Sequence, residues 1–335
     1  TPNLQLTAIV ESESQLNPGT TPILWVNDQF SGWVATPMVG VPSDFQPDVI
    51  IGNDIFTSNQ YIVGVVGVIA NDVWLYTYSV SGEGTGILTV TNTGSYNISA
   101  SGNIMASPAH IDIEAQYSTP FLGGQPTCDN FAITWEDMAV GIMGYFASLS
   151  NPTGGTPTTI NALGGMVLQP DVALVERLNP LTNLYEDWAL FGYMQSGPPP
   201  QKLIYQEWNT AATPGIAVTY DNTHNYLPYG YVASGVRIDA IDDYTLNMPG
   251  PGVYPGTPPA PNAYFDMVVA AANPMPPARA AVLEFNNKLG AGVWKDITTP
   301  VAALANNMNW VPVVTCGPGQ FYSVGYASTQ GPGPL

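Results

Sequence analysis

The chain has 335 residues, 45% of them apolar, with 25 acidic side chains against 6 basic ones and a formal net charge of −19. That length suits two domains with cores of their own, and the apolar fraction excludes a disordered chain despite 34 Gly and 32 Pro. All the cations (Arg177, Lys202, Arg237, Arg279, Lys288, Lys295) fall after residue 176, which argues against nucleic acid and anionic membrane surfaces as partners, and no apolar run is long enough for a membrane span.

In chain order, β-branched, aromatic and alternating stretches predict strands at residues 4–10, 23–26, 61–69, 73–80, 86–91, 111–115 and 131–135. The second half adds 167–175, 188–194, 203–208, 216–220, 232–238, 264–271, 280–285, 310–315 and 321–327. Turn clusters separate them, such as Ser81-Gly82-Glu83-Gly84 and Asn92-Thr93-Gly94. Only residues 137–146 and 299–307 have a helical look.

One phrase is used twice. Phe45-Gln46-Pro47-Asp48-Val49-Ile50-Ile51 returns as Leu168-Gln169-Pro170-Asp171-Val172-Ala173-Leu174, 123 positions later. A repeat at that distance predicts duplication, here all-β in two tandem antiparallel β-sandwich or jelly-roll-like domains. The expected boundaries are 1–150 for the first, 151–162 for a linker, and 163–335 for the second, with a Pro/Gly-rich insertion near 248–261.

The charge distribution carries a pH argument. Carboxylates before residue 176 have no Lys or Arg from their own half to pair with, so mutual repulsion should raise their folded pKa values. A raised folded pKa adds stability as pH falls through it, so an acid-tolerant protein of an acidic or extracellular setting is expected. The chain opens at Thr1 without a signal-peptide pattern, which fits a processed product and an excised piece equally.

Few residues offer specific chemistry. Cys128 and Cys316 would close a loop of 188 residues if bridged, worth ~5 kcal/mol in the chain-entropy picture, and two free buried thiols fit as well. The two histidines, His110 and His224, support neither a catalytic triad nor a zinc site, and no cofactor fingerprint is present. Asn97-Ile98-Ser99 is a glycosylation sequon.

Carboxylate and amide chemistry remains. Gln46 with Glu136, and Gln169 with Glu284, offer a glutamine on an early strand and a glutamate on a late one. On adjacent strands such a pair would hold a water between a general base and an amide that donates to a developing oxyanion. At these residues the chain resembles the glutamic peptidases of the eqolisin family and related concanavalin A-like β-sandwiches. The order Leu168-Gln169-Pro170, then Tyr185 to Tyr193, then Val282-Leu283-Glu284 carries the likeness, and Gln46 with Trp135-Glu136 follows it more loosely. The resemblance implies an acid peptidase with these residues in its site, although a proline follows each glutamine.

Two other functions compete with that one. Tyr226, Tyr229 and Tyr231, beside Asn222 and Asn225, suggest sugar binding by stacking and hydrogen bonds. The preferred expectation is an extracellular structural protein that assembles with copies of itself into a filament, shell (capsid) or surface layer, with its N-terminal strand adding to a neighbouring sheet edge.

Overall fold

The computed structural model of the chain describes residues 6–11, 21–43, 45–53, 61–99, 102, 104, 111–115, 130–161, 167–179, 184–195, 202–210, 236–240, 266–273, 279–286, 293–296, 313–317 and 321–325. Among these residues every regular element is a strand and every strand pairing is antiparallel, so the chain is all-β. Residues 216–220, 248–261 and 299–307, which carried strand, insertion and helix expectations, lie outside the described residues. The chain separates into unit 1 (Thr1–Pro120 with Gly124–Ala162) and unit 2 (Phe121–Gly123 with Leu163–Leu335).

The described residues of unit 1 form three sheets, each a meander of consecutive strands. The first contains β1 (Thr7–Glu11), β2 (Ile23–Asn27) and β3 (Trp33–Pro37). The second contains β4 (Asp48–Asn53), β5 (Tyr61–Ile69), β6 (Asp72–Ser81) and β7 (Thr89–Asn97). The third contains β8 (Ile111–Ala115), β9 (Asn130–Asp137), β10 (Gly141–Ser148) and β11 (Thr158–Asn161). Among the described residues no sheet has the crossed strand order that a jelly roll requires.

Side-chain alternation explains the stacking. Val63 and Val65 of β5, with Tyr76, Tyr78 and Val80 of β6, face one core together with Leu24 and Val26 of β2. The intervening Val66 and Val68, with Val73 and Leu75, face a second core shared with Ile113, Phe131, Ile133, Trp135 and Tyr145. The middle sheet is therefore covered on both sides, which is why β5 and β6 read as near-continuous apolar runs.

Three expectations need correction here. Residues 137–146 form no helix. Asp137 Oδ1 accepts from the N–H groups of Ala139 and Val140, Gly141 takes φ +122°, and the chain doubles back from β9 into β10. Asn92-Thr93-Gly94 is no turn either. Asn92 faces Tyr78 and Gly94 faces Thr77, leaving Thr93 as the extra residue of a bulge within β7. The segment expected as a linker contains β11, bonded to β10, and so continues the third sheet.

Unit 2 repeats the meander pattern. β12 (Val167–Asn179), β13 (Leu184–Gln195) and β14 (Lys202–Asn209) form one sheet. β15 (Val236–Ala240), β16 (Asp266–Asn273), β17 (Arg279–Asn286) and β18 (Val293–Asp296) form another, and β19 (Val313–Gly317) pairs with β20 (Phe321–Gly325). In β12 the register jumps between Leu168 and Asp171, so Gln169 and Pro170 form a bulge against β13, where a missing proline N–H costs least.

The duplicated phrase makes the same bond in both units. Asp48 Oδ2 accepts from the N–H of Ile113 on β8 at 3.1 Å, and Asp171 Oδ2 accepts from the N–H of Ile238 on β15. Each aspartate thus ties the first strand of one sheet to the first strand of the next. Asp171 is buried and also meets Arg237 Nη1 at 3.4 Å. Removing a buried, hydrogen-bonded carboxylate orphans its donors, so Asp171→Ala should cost about 3 kcal/mol and Asp48→Ala about 1–2 kcal/mol. Urea unfolding midpoints measure both; equal, negligible losses would deny the aspartates this stitching role.

Candidate functional site

The proposed Gln–Glu pairs are not on adjacent strands. Gln46 is exposed and leads into β4, whereas Glu136 sits on β9 of a different sheet, opposite Ile142. Its neighbours Ile133 and Trp135 face the core shared with the β4–β7 sheet, so alternation turns Glu136 onto the other face. Gln169 lies in the β12 bulge and Glu284 on β17, again in different sheets. Glu136 is on the second strand of its meander and Glu284 on the third, so the two glutamates are not counterparts. Cys316 is on β19 opposite Tyr322, while Cys128 and the tyrosines at 226, 229 and 231 lie outside the described residues.

Asn97 ends β7, where its Nδ2 donates to Asp72 Oδ2 at 3.0 Å. Ser99 Oγ reaches Asp72 Oδ1 and accepts from the N–H of Val73, so both polar residues of the sequon hold the β6–β7 sheet end.

A more coherent surface lies on the first sheet. Its inner face, with Leu24 and Val26 fully buried, packs on the second sheet. The register places Thr7, Asn27 and Trp33 in one row of the outer face. Ile9, Trp25 and Ala35 form the next row, and Glu11, Ile23 and Pro37 the third. Trp33 is 49% exposed and Ile9 50%. Trp25 and Trp33 are diagonal neighbours, about 7–8 Å apart at the backbone. Trp25 Nε1 donates to Glu11 Oε2 at 3.0 Å, holding indole and carboxylate together.

The turn beside Trp33 is held rigidly. Asp28 is fully buried, and its carboxylate accepts from the N–H groups of Phe30, Ser31 and Gly84 and from Ser31 Oγ. Burial opposes ionisation, but those bonds outweigh it and keep the Asp28 carboxyl below the ordinary range. Gly84 belongs to the loop between β6 and β7, so Asp28 fixes that loop to the β2–β3 turn. Phe30 and Ile87, one on each of these tied segments, are exposed at 55% and 75%. In the same loop, burial and the neighbouring Asp28 charge push the Glu83 carboxyl up, and Glu83 Oε1 has no hydrogen-bond partner among the described residues. The expectation of raised carboxylates in this half therefore fits Glu83 and fails for Asp28, where backbone N–H groups supply what cations do not.

Chemically, the face sets two indoles beside an amide and a carboxylate. Sequence reasoning looked to the tyrosines instead. The signal for the tryptophans was the alternation Ile23-Trp25-Asn27 and Trp33-Ala35-Pro37, which marks one face but not whether that face is covered.

No family model and no curated protein matches the chain. Among solved structures, an arginine-to-alanine triple mutant of AofleA from Arthrobotrys oligospora is similar over 87% of this chain and 92% of that one, at 8% identity and a TM-score of 0.28. A likeness that slight assigns neither fold nor function.

Proposed function

We propose that the chain is a carbohydrate-binding protein whose site is the outer face of the β1–β3 sheet. The observation that carries this reading is the diagonal pair Trp25 and Trp33 on an open sheet face, with Glu11 bonded to one indole and Asn27 level with the other. Indole faces stack on the apolar C–H faces of sugar rings, the amide N–H donates to ring hydroxyls and the carboxylate accepts from them. A rigid turn beside Trp33 lowers the ordering cost of binding. Titrating a panel of neutral oligosaccharides against tryptophan fluorescence tests it. Trp33→Ala should weaken binding by about 2 kcal/mol, roughly thirtyfold, with unfolding unchanged. A panel with no binder at millimolar concentration would refute the reading.

A second reading, self-assembly, draws on the same face. The middle sheet of unit 1 is covered on both faces by other sheets, and here Ile9 and Trp33 are open. Among the described pairings β1 bonds β2 along one edge, so assembly through this face and addition of β1 to a neighbouring sheet edge are both open to it. Sedimentation velocity over a wide concentration range distinguishes a monomer from assembled forms.

The finer fold follows the modules. We infer that the repeating element is the single meander sheet, not a two-sheet sandwich. The support is the strict chain order of the strands, the aspartate stitches, and the first strands of successive sheets lying side by side in each unit: β1, β4 and β8, then β12, β15 and β19. Blades of β-propellers succeed one another in this manner.

A further inference from the structure

Resting on the carbohydrate reading above, we propose that the β1–β3 face takes polymers of amine-bearing sugars and rejects anionic glycans. The first 176 residues contain neither Lys nor Arg, so no side chain of β1, β2 or β3 can neutralise a sulfate, uronate or sialate, while the chain carries a net charge of −19. The face itself presents one carboxylate, Glu11, whose Oε2 is held by Trp25 Nε1 in the row beside that indole. A protonated amine on a sugar stacked over Trp25 lies within reach of that carboxylate. The same cation is attracted to an indole face, so the aromatic and acidic groups favour one ligand chemistry. Level with Trp33, Thr7 and Asn27 Nδ2 serve the hydroxyls of the next ring, Asn27 Oδ1 being taken by the N–H of Gln29.

The test is calorimetric titration of the full chain, slightly acid of neutral, with a short glucosamine oligomer, its N-acetylated counterpart, a neutral glucan oligomer, a uronate oligomer and oligolysine. The expected result is roughly fivefold tighter binding of the free-amine oligomer than of its acetylated counterpart at low salt, narrowing as salt is added, with no uronate binding. Glu11→Gln should abolish that preference, bringing the free-amine and acetylated oligomers to equal affinity. Equal affinities for free-amine and acetylated oligomers would overturn the ligand class and leave sugar binding standing. If no oligosaccharide binds the folded protein, the carbohydrate reading itself falls. Oligolysine competing as well as the glucosamine oligomer, or glucosamine binding unaffected by Trp33→Ala, would reduce the effect to net charge and overturn the proposal. Self-association that masks the face, seen as concentration-dependent sedimentation, would assign the surface to a second copy.

Discussion

Asp28→Ala should lower the stability of unit 1 by about 3–5 kcal/mol, the largest loss expected from any single polar side chain described. The substitution leaves the N–H groups of Phe30, Ser31 and Gly84 without their acceptor, and each orphaned donor costs ~1–3 kcal/mol, less where the loop relaxes toward water. Asp28→Asn keeps one acceptor oxygen but not the charge, so it should lose about half as much. The pH dependence has a definite sign. A folded pKa below the unfolded one means that Asp28 contributes its full stability above the ordinary carboxylate range and loses it as pH falls through the folded value. Glu83, with its folded pKa raised, does the reverse and gains stability as pH falls through its folded value. In wild type these opposed contributions flatten the acid limb; in Asp28→Asn the Glu83 contribution remains, smaller without the Asp28 charge but still carried by burial, and stability should rise between neutrality and about pH 4. Urea midpoints across that range decide the matter, and an acid-labile Asp28→Asn variant would contradict the assignment.

Gly82→Ala should be nearly as damaging, at about 3–4 kcal/mol, for a different reason. Gly82 has φ +86°, where an L side chain costs about 1–2 kcal/mol. A Cβ there would also stand 2.0 Å from the carbonyl oxygen of Ile87, and a backbone atom cannot rotate away. The 82–87 loop would have to open, and with it the bond from Gly84 to Asp28. The two substitutions therefore break one arrangement, and their costs should not add. A double-mutant cycle with Asp28→Ala is expected to show at least ~1 kcal/mol of coupling; strict additivity would mean the loop and turn are independent.

How legible these features were depended on whether the deciding contact was local. Residues 61–69 appear as β5 with the expected bounds because Tyr61-Ile-Val-Gly-Val-Val-Gly-Val-Ile69 is β-branched and apolar on both faces. β3 went unread because Gly32 and Pro37 frame it like a loop, and its edge position tolerates the proline. The bulge at Thr93 and the hairpin at Asp137 were misjudged because the same small polar residues serve turns, bulges and caps alike. The repeated Gln-Pro-Asp was visible, but its meaning was not. Its aspartate acts on an N–H about 65 residues further along, a pairing no local pattern encodes. The aromatic face was hidden for the same reason: periodicity shows that Trp25 and Trp33 share a side, and only packing shows that the other side faces the core.

The meander order also bears on how the chain acquires its structure. Every described hydrogen-bonded strand neighbour is the next strand in sequence, the connections running from 2 residues between β5 and β6 to 25 between β15 and β16. Such local pairing lowers contact order, and folding should run faster than is usual for all-β domains, sheet after sheet as synthesis proceeds. A nascent chain ending after β7 would already hold the core between its first two sheets, and the aspartate of the repeated phrase would be waiting, in register, for the strand still to be made.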